Sequence, residues 1–101
     1  MTARAATVSR YLGKANLPRG RWLPGGGPGR GRYATPGRWA PGLVTEQRGA
    51  TAIVRRVFAF GLTEEARRRT VDRDLTDATR VLTGQGFKVE RVDEHLVVSY
   101  P

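Results

Sequence analysis

The chain has 101 residues, with 18 basic and nine acidic side chains, one histidine and no cysteine, and its formal net charge is +9. This length allows one modest hydrophobic core but not two. The lack of cysteine excludes disulfides, thiolate nucleophiles and cysteine-ligated zinc or iron–sulfur centres. No apolar run reaches the roughly 18 residues that a membrane span needs, so we expect a cytoplasmic protein without a membrane partner.

The charges are distributed unevenly along the chain. Residues 1–45 contain eight basic and no acidic side chains, whereas residues 46–101 contain ten basic and nine acidic ones. A segment that carries only cations favours binding to a polyanion, because contact with phosphates releases condensed counterions. The sequence therefore predicts a basic N-terminal arm over residues 1–42 and a compact domain over residues 43–101. The alternative is that the cations only keep the chain in solution.

Residues 3–16 have the pattern of a short amphipathic helix. Ala5, Val8 and Leu12 recur at helical spacing, and cations occupy other positions around the helix. The pattern predicts a helix that ends within residues 13–16.

The string from Ala6 to Gly13, ATVSRYLG, resembles the start of the recognition helix in helix-turn-helix proteins of the lactose-repressor type. The resemblance covers eight of the 101 residues and implies DNA contacts from Thr7, Ser9 and Arg10. Only five residues precede the string, too few for the first helix and turn of that motif. We therefore prefer the hypothesis of an ordinary short helix.

Glycine and proline dominate residues 18–42, which predicts a loop rather than a helix or a central strand. An arginine, an aromatic residue and a Pro-Gly pair recur there three times, at 21–25, 32–37 and 38–42. Each unit offers a cation for a phosphate and a ring that can stack on a base, a contact that contributes about 1–3 kcal/mol. The alternative is that the rings cover the sheet, which we favour slightly for Trp39.

Two strands are predicted at residues 43–47 and 51–60, with a turn at 48–50. Because neighbouring side chains of a strand point to opposite faces, at most one of Arg55 and Arg56 faces the core.

A long helix is predicted from Thr63, its N-cap, to residue 83, with Gly84 ending it. Its apolar stripe comprises Leu62, Ala66, Val71, Leu75, Ala78 and Leu82, with Val81 beside it. The spacing also predicts the ion pairs Glu64–Arg68, Glu65–Arg69, Arg73–Asp77, Arg69–Asp72 and Asp77–Arg80. We therefore interpret the arginines at 67–69 as a salt-bridged solvent face and not as a phosphate site.

Period-two alternation at residues 87–91 and 96–100 predicts a hairpin, with Val89 opposite Val98 and a loop of two or four residues. The order α-loop-β-β-α-β-β predicts an α+β fold, in which an antiparallel sheet of about four strands carries the long helix on one face.

No pattern in the sequence indicates catalysis, a cofactor or a metal. The glycine run at 25–29 lacks the preceding strand and the Lys-Ser or Lys-Thr of a phosphate-binding loop. His95 lies at the predicted hairpin tip, where a solvated turn residue is its simplest interpretation. Ser9 and Ser99 lack the flanking glycines of a nucleophile elbow.

These observations favour a small, non-enzymatic nucleic-acid-binding protein, without distinguishing DNA from RNA. The predicted contact residues are Arg10, Lys14, Arg19, Arg21, Trp22, Arg30, Arg32, Tyr33, Arg38 and Trp39. The alternative is a protein-interaction module, regulatory or accessory to assembly, that binds an acidic protein surface or pairs through a sheet edge with a partner or a second copy.

Overall fold

A computed structural model describes residues 1–23, 38–58 and 62–101, including side chains at 1–20, 40–58 and 62–101. The elements are α1 (Ala5–Lys14), β1 (Arg21–Leu23), β2 (Arg38–Ala40), β3 (Gly42–Arg48), β4 (Thr51–Val57), α2 (Glu64–Gly84), β5 (Lys88–Val92) and β6 (His95–Ser99). The predicted α+β class and the order of its main elements are confirmed. A short antiparallel pair, β1 with β2, is present in addition, at the two ends of the segment predicted as a loop.

The main sheet has the order β3-β4-β6-β5, and all its neighbouring strands are antiparallel. The strands β4 and β5 run in the same direction and are linked by α2, while β6 lies between them. The two-residue turn Asp93-Glu94 joins β5 to β6, and Val89 lies opposite Val98 as predicted. Asp93 has a φ of +54°, in keeping with the primed turns of tight hairpins.

Both helices pack on one face of the main sheet. The shared core comprises Ala3, Val8, Leu12, Leu43, Ala52, Val54, Val71, Leu75, Ala78, Leu82, Phe87, Leu96 and Val98. The helix α1 thus contributes to the same core as residues 43–101, because Val8 and Leu12 are buried against it. The division of the chain at residue 42 stays a prediction, but removal of residues 1–42 would also remove part of the core.

The N-terminus is tied to the turn between β3 and β4. The backbone N–H of Ala3 donates to the carbonyl of Ala50 at 2.9 Å. The side chain of Gln47 accepts from the N–H of Ala5 at 2.8 Å and donates to the carbonyl of Ala3 at 3.0 Å. These bonds satisfy backbone groups just before and at the start of α1, where a helix has no partners of its own.

Each helix ends in a Schellman motif, in which the chain reverses through one residue of positive φ. At the end of α2, Gly86 has a φ of +91° and Phe87 N–H donates to Leu82. At the end of α1, Asn16 has a φ of +59° and Leu17 N–H donates to the carbonyl of Leu12. The helix α2 therefore ends at Gly84, as predicted, and the residue that reverses the chain after it is Gly86.

The buried side of α2 carries a charge that its apolar spacing does not reveal. Asp74 is buried, and its Oδ2 accepts from Arg56 Nε at 2.6 Å. This contact confirms that at most one of the two arginines of β4 faces the core, because Arg55 points to the opposite face and is exposed. The prediction that Leu62 belongs to the buried apolar stripe of the helix is wrong, since this residue precedes α2 and is 45% exposed.

Residues 18–20 run alongside the start of β3. Leu43 N–H donates to Pro18 and Gly20 N–H donates to Leu43, each at 2.8 Å, in a parallel arrangement. The two backbones approach closely at Gly42, where a Cβ atom would lie 2.2 Å from the carbonyl carbon of Arg19. Gly42 also has a φ of +148°, a region that residues with a side chain rarely adopt.

We expect Gly42→Ala to lower the free energy of unfolding by at least about 2 kcal/mol, because strain and a backbone clash add together. Gly49→Ala is the matched control, since Gly49 has a φ of +59° but no atom within 4 Å of its Cβ position. Strain alone should cost this variant about 1 kcal/mol. Urea unfolding followed by circular dichroism measures both, and equal losses would contradict the close approach at Gly42.

We expect Asp74→Ala to lower the free energy of unfolding by about 3 kcal/mol, because it leaves the Arg56 guanidinium buried without its carboxylate. Asp72→Ala removes the more exposed pair with Arg91, in which the two side chains are 56% and 39% exposed. This control should lose less than about 1 kcal/mol. Urea titration measures the loss of unfolding free energy in both variants. Equal losses would show that Arg56 can reach solvent when Asp74 is removed.

Candidate nucleic-acid interface

The burial of α1 determines where its cations point. Val8 and Leu12 are buried, and Arg10 lies about 160–200° from each of them around a helix of 3.6 residues per turn. Lys14 follows Arg10 by four residues and so lies on the same side of the helix. Both side chains are exposed. The apolar spacing that anchors α1 therefore directs these two cations outward.

Arg19 also lies on the surface of α1, because the chain turns back at the end of the helix. Its Nη2 donates a hydrogen bond to Ser9 Oγ, so its guanidinium lies against the helix. Its Nη1 is 3.1 Å from the position that a Cβ of Gly13 would occupy, and the missing side chain leaves room for the contact. We call Arg10, Lys14 and Arg19 the α1 cationic face.

Carboxylates do not neutralise this face within the described side chains. All nine acidic residues of the chain lie within residues 46–101, and the structure describes each of them. Their ion pairs there are Glu64–Arg68, Glu65–Arg69, Asp72–Arg91, Asp74–Arg56, Asp74–Arg73 and Asp77–Arg80. Arg4, Arg10, Lys14 and Arg19 take part in none of these pairs. The charge separation of the sequence thus persists in the fold over residues 1–20.

Four predicted contact residues lie on the short strand pair. In its register Trp22 is the partner of Trp39, Leu23 is the partner of Arg38, and Arg21 is the partner of Ala40. Preceding β1, Gly20 approaches the sheet face opposite the helices, and a Cβ on it would lie 2.6 Å from Val57 Cγ2 and 2.9 Å from Val44 Cγ2. The predicted contacts Arg30, Arg32 and Tyr33 lie outside the described residues.

The arginines of α2 are arranged differently from those of α1. Arg68 and Arg69 pair with glutamates one turn earlier, as predicted, at 3.6 and 2.5 Å. The guanidinium of Arg67 lies 4.9 Å from the ring centroid of Phe58, a contact that the acid–base spacing did not predict. Arg73 was predicted to pair with Asp77, but its Nε instead lies 3.1 Å from Oδ1 of Asp74. Most of the charge of this surface is therefore compensated locally.

The lone histidine, His95, begins β6 opposite Val92 and is half-buried. It lines an open depression of about 320 Å³, mostly on the sheet face opposite the helices, together with Glu46, Arg48, Ile53, Arg55, Glu94 and part of Arg56. Within the described part of the chain, histidine, aspartate and glutamate form no group of three that could hold a metal ion. The described helices include none with the length and apolar character to cross a membrane.

Neither a protein-family model nor a curated protein nor a solved structure matches the chain.

Proposed function

We propose that this protein binds nucleic acid without catalysing a reaction, and that the α1 cationic face contacts the phosphate backbone. The observation that supports this proposal is the placement of three exposed cations on the surface of α1, two of them opposite its buried side and one beside Ser9, with no carboxylate paired to them among the described side chains. The phosphate backbone of a nucleic acid is a polyanion that clustered cations bind favourably, because binding releases condensed counterions.

The rigidity of α1 adds to this argument. Its inner side is part of the core, and its first turn is held by Gln47. The backbone that carries Arg10 and Lys14 is therefore already ordered, so a ligand need not supply the free energy to fold it. Arg19 is also positioned in advance by its bond to Ser9.

The arginine and aromatic units at 21–25, 32–37 and 38–42 would extend the same contact toward the bases. Arginine binds phosphate oxygens in a fork, and aromatic rings stack on unpaired bases of any sequence. The backbone pairing of Trp22 with Trp39 brings two of these units together. In this proposal the binding is mainly insensitive to sequence.

We expect the double variant Arg10→Gln/Lys14→Gln to bind a fluorescein-labelled oligonucleotide more weakly than the wild type, because two phosphate contacts are lost. The slope of log K against log salt concentration should fall by about 1.4 for a single strand and about 1.8 for a duplex. Fluorescence anisotropy over a salt series measures both quantities.

The matched control is Arg68→Gln/Arg69→Gln, which removes the same charge from exposed positions of α2 that are paired with glutamates. This variant should keep the wild-type slope. Equal effects of the two double variants would show that only net charge matters, and binding that is absent or independent of salt would refute the proposal.

The chain contains two tryptophans, and both belong to the proposed contact residues. We expect single-stranded oligonucleotides to quench their fluorescence, and Trp22→Leu or Trp39→Leu to weaken binding by about 5- to 150-fold, as the loss of a stacked base predicts. Circular dichroism of each variant separates loss of contact from loss of fold. A spectrum unchanged at saturation would contradict stacking.

A further inference from the structure

Within the described residues, the two edge strands of the main sheet differ in whether other backbone covers their open side. The edge at β3 is covered, since residues 18–20 hydrogen-bond to Leu43 and Ala3 bonds to Ala50. The edge at β5 has no such partner within residues 1–23, 38–58 and 62–101. Its five residues contain neither proline nor glycine and pair with β6 without a break in register. An edge of this kind can accept another strand.

The hairpin determines which backbone groups of β5 point outward. The two-residue turn makes Val92 and His95 a hydrogen-bonded pair, and such pairs alternate with non-hydrogen-bonded ones along an antiparallel ladder. Val89 and Arg91 therefore belong to non-hydrogen-bonded pairs with β6. Their N–H and C=O groups point to the open edge, where they are available to an incoming strand.

We propose that a second copy of this chain pairs with this edge, β5 against β5 in antiparallel orientation, with Val89 opposite Val89 on the two-fold axis. In this register Lys88 of each copy lies opposite Glu90 of the other, on the sheet face that the helices leave open. These two contacts fall on non-hydrogen-bonded pairs, where side chains approach most closely.

Charge selects this register over its neighbours. A shift of the axis to Glu90 places two glutamates opposite each other, and a shift to Arg91 does the same for two arginines, both of which are unfavourable. A lysine on an edge strand usually prevents pairing because nothing neutralises it. On β5 the sequence Lys88-Val89-Glu90 provides the opposite charge two residues later, so two copies are complementary to each other.

The proposed dimer has a defined arrangement of helices. Residues that lie opposite each other in an antiparallel pair share a face, so the two-fold axis is normal to the sheet and both helix layers lie on the same side of eight strands. The two α1 cationic faces then also lie on that side. The dimer does not depend on the proposed nucleic-acid binding, and its test uses no nucleic acid.

Sedimentation equilibrium of four full-length proteins tests the dimer: the wild type, K88E, E90K and the double variant K88E/E90K. Both side chains are exposed, so we expect all four to fold. Each single variant replaces two attractive contacts by two repulsive ones and should raise the dimer dissociation constant by about tenfold or more. The double variant restores opposite charges and should return it to within about threefold of the wild type.

Cysteine cross-linking provides a second readout, because the natural chain has no cysteine. Partners in a non-hydrogen-bonded pair are about 4.5 Å apart between Cα atoms, a separation that a disulfide can span. A mixture of K88C and E90C should therefore give disulfide-linked dimers under mild oxidation, and K88C alone should not. A monomeric wild type, single variants that leave its dimer unchanged, or a double variant that fails to restore it would each overturn the proposal.

Discussion

The packing of α1 onto the sheet is the interaction on which the placement of the N-terminal cations depends. Burial of Val8 and Leu12 joins the N-terminal helix to the core made by the sheet and α2. The same burial leaves one direction for Arg10 and Lys14, away from the protein. The Schellman motif that follows returns the chain toward the helix, so Arg19 reaches Ser9. Stability and the arrangement of charge thus have a common origin in the apolar spacing of α1.

The ion pairs among the described side chains all lie within residues 46–101 of the chain. Most cations of α2 and β5 have acidic neighbours, either on α2 itself or, for Arg91 of β5, across to Asp72 of the helix. Arg56 and Asp74 apply the same rule inside the core, where an unpaired charge would be costly. Residues 1–45 contain no acidic side chain, so their cations cannot form ion pairs within the segment. Its charge can be compensated only by a carboxylate from elsewhere in the fold or by an external anion.

Local patterns in the sequence predicted much of this structure. Two strand-forming segments around a turn predicted β3 and β4, period-two alternation predicted the register of the β5–β6 hairpin, and Thr63 predicted the start of α2. Contacts between elements distant in the sequence were not predictable, because spacing identifies the face of an element but not its neighbour. The pair of Arg56 with Asp74 and the close approach at Gly42 belong to this class. For the candidate site, helical spacing indicated the directions of Arg10 and Lys14, whereas the contact of Arg19 required the fold.

The way α1 is attached has a consequence for how the molecule opens. Its contacts with β3 and β4 join segments some 40 residues apart, whereas α2, β5 and β6 are neighbours in the chain. Detachment of α1 would therefore leave most of the sheet ladder and α2 intact, as a partial opening that needs less free energy than global unfolding. An anion that binds the closed arrangement of Arg10, Lys14 and Arg19 more tightly than the opened one favours the closed form, so binding at this surface also protects the core from opening.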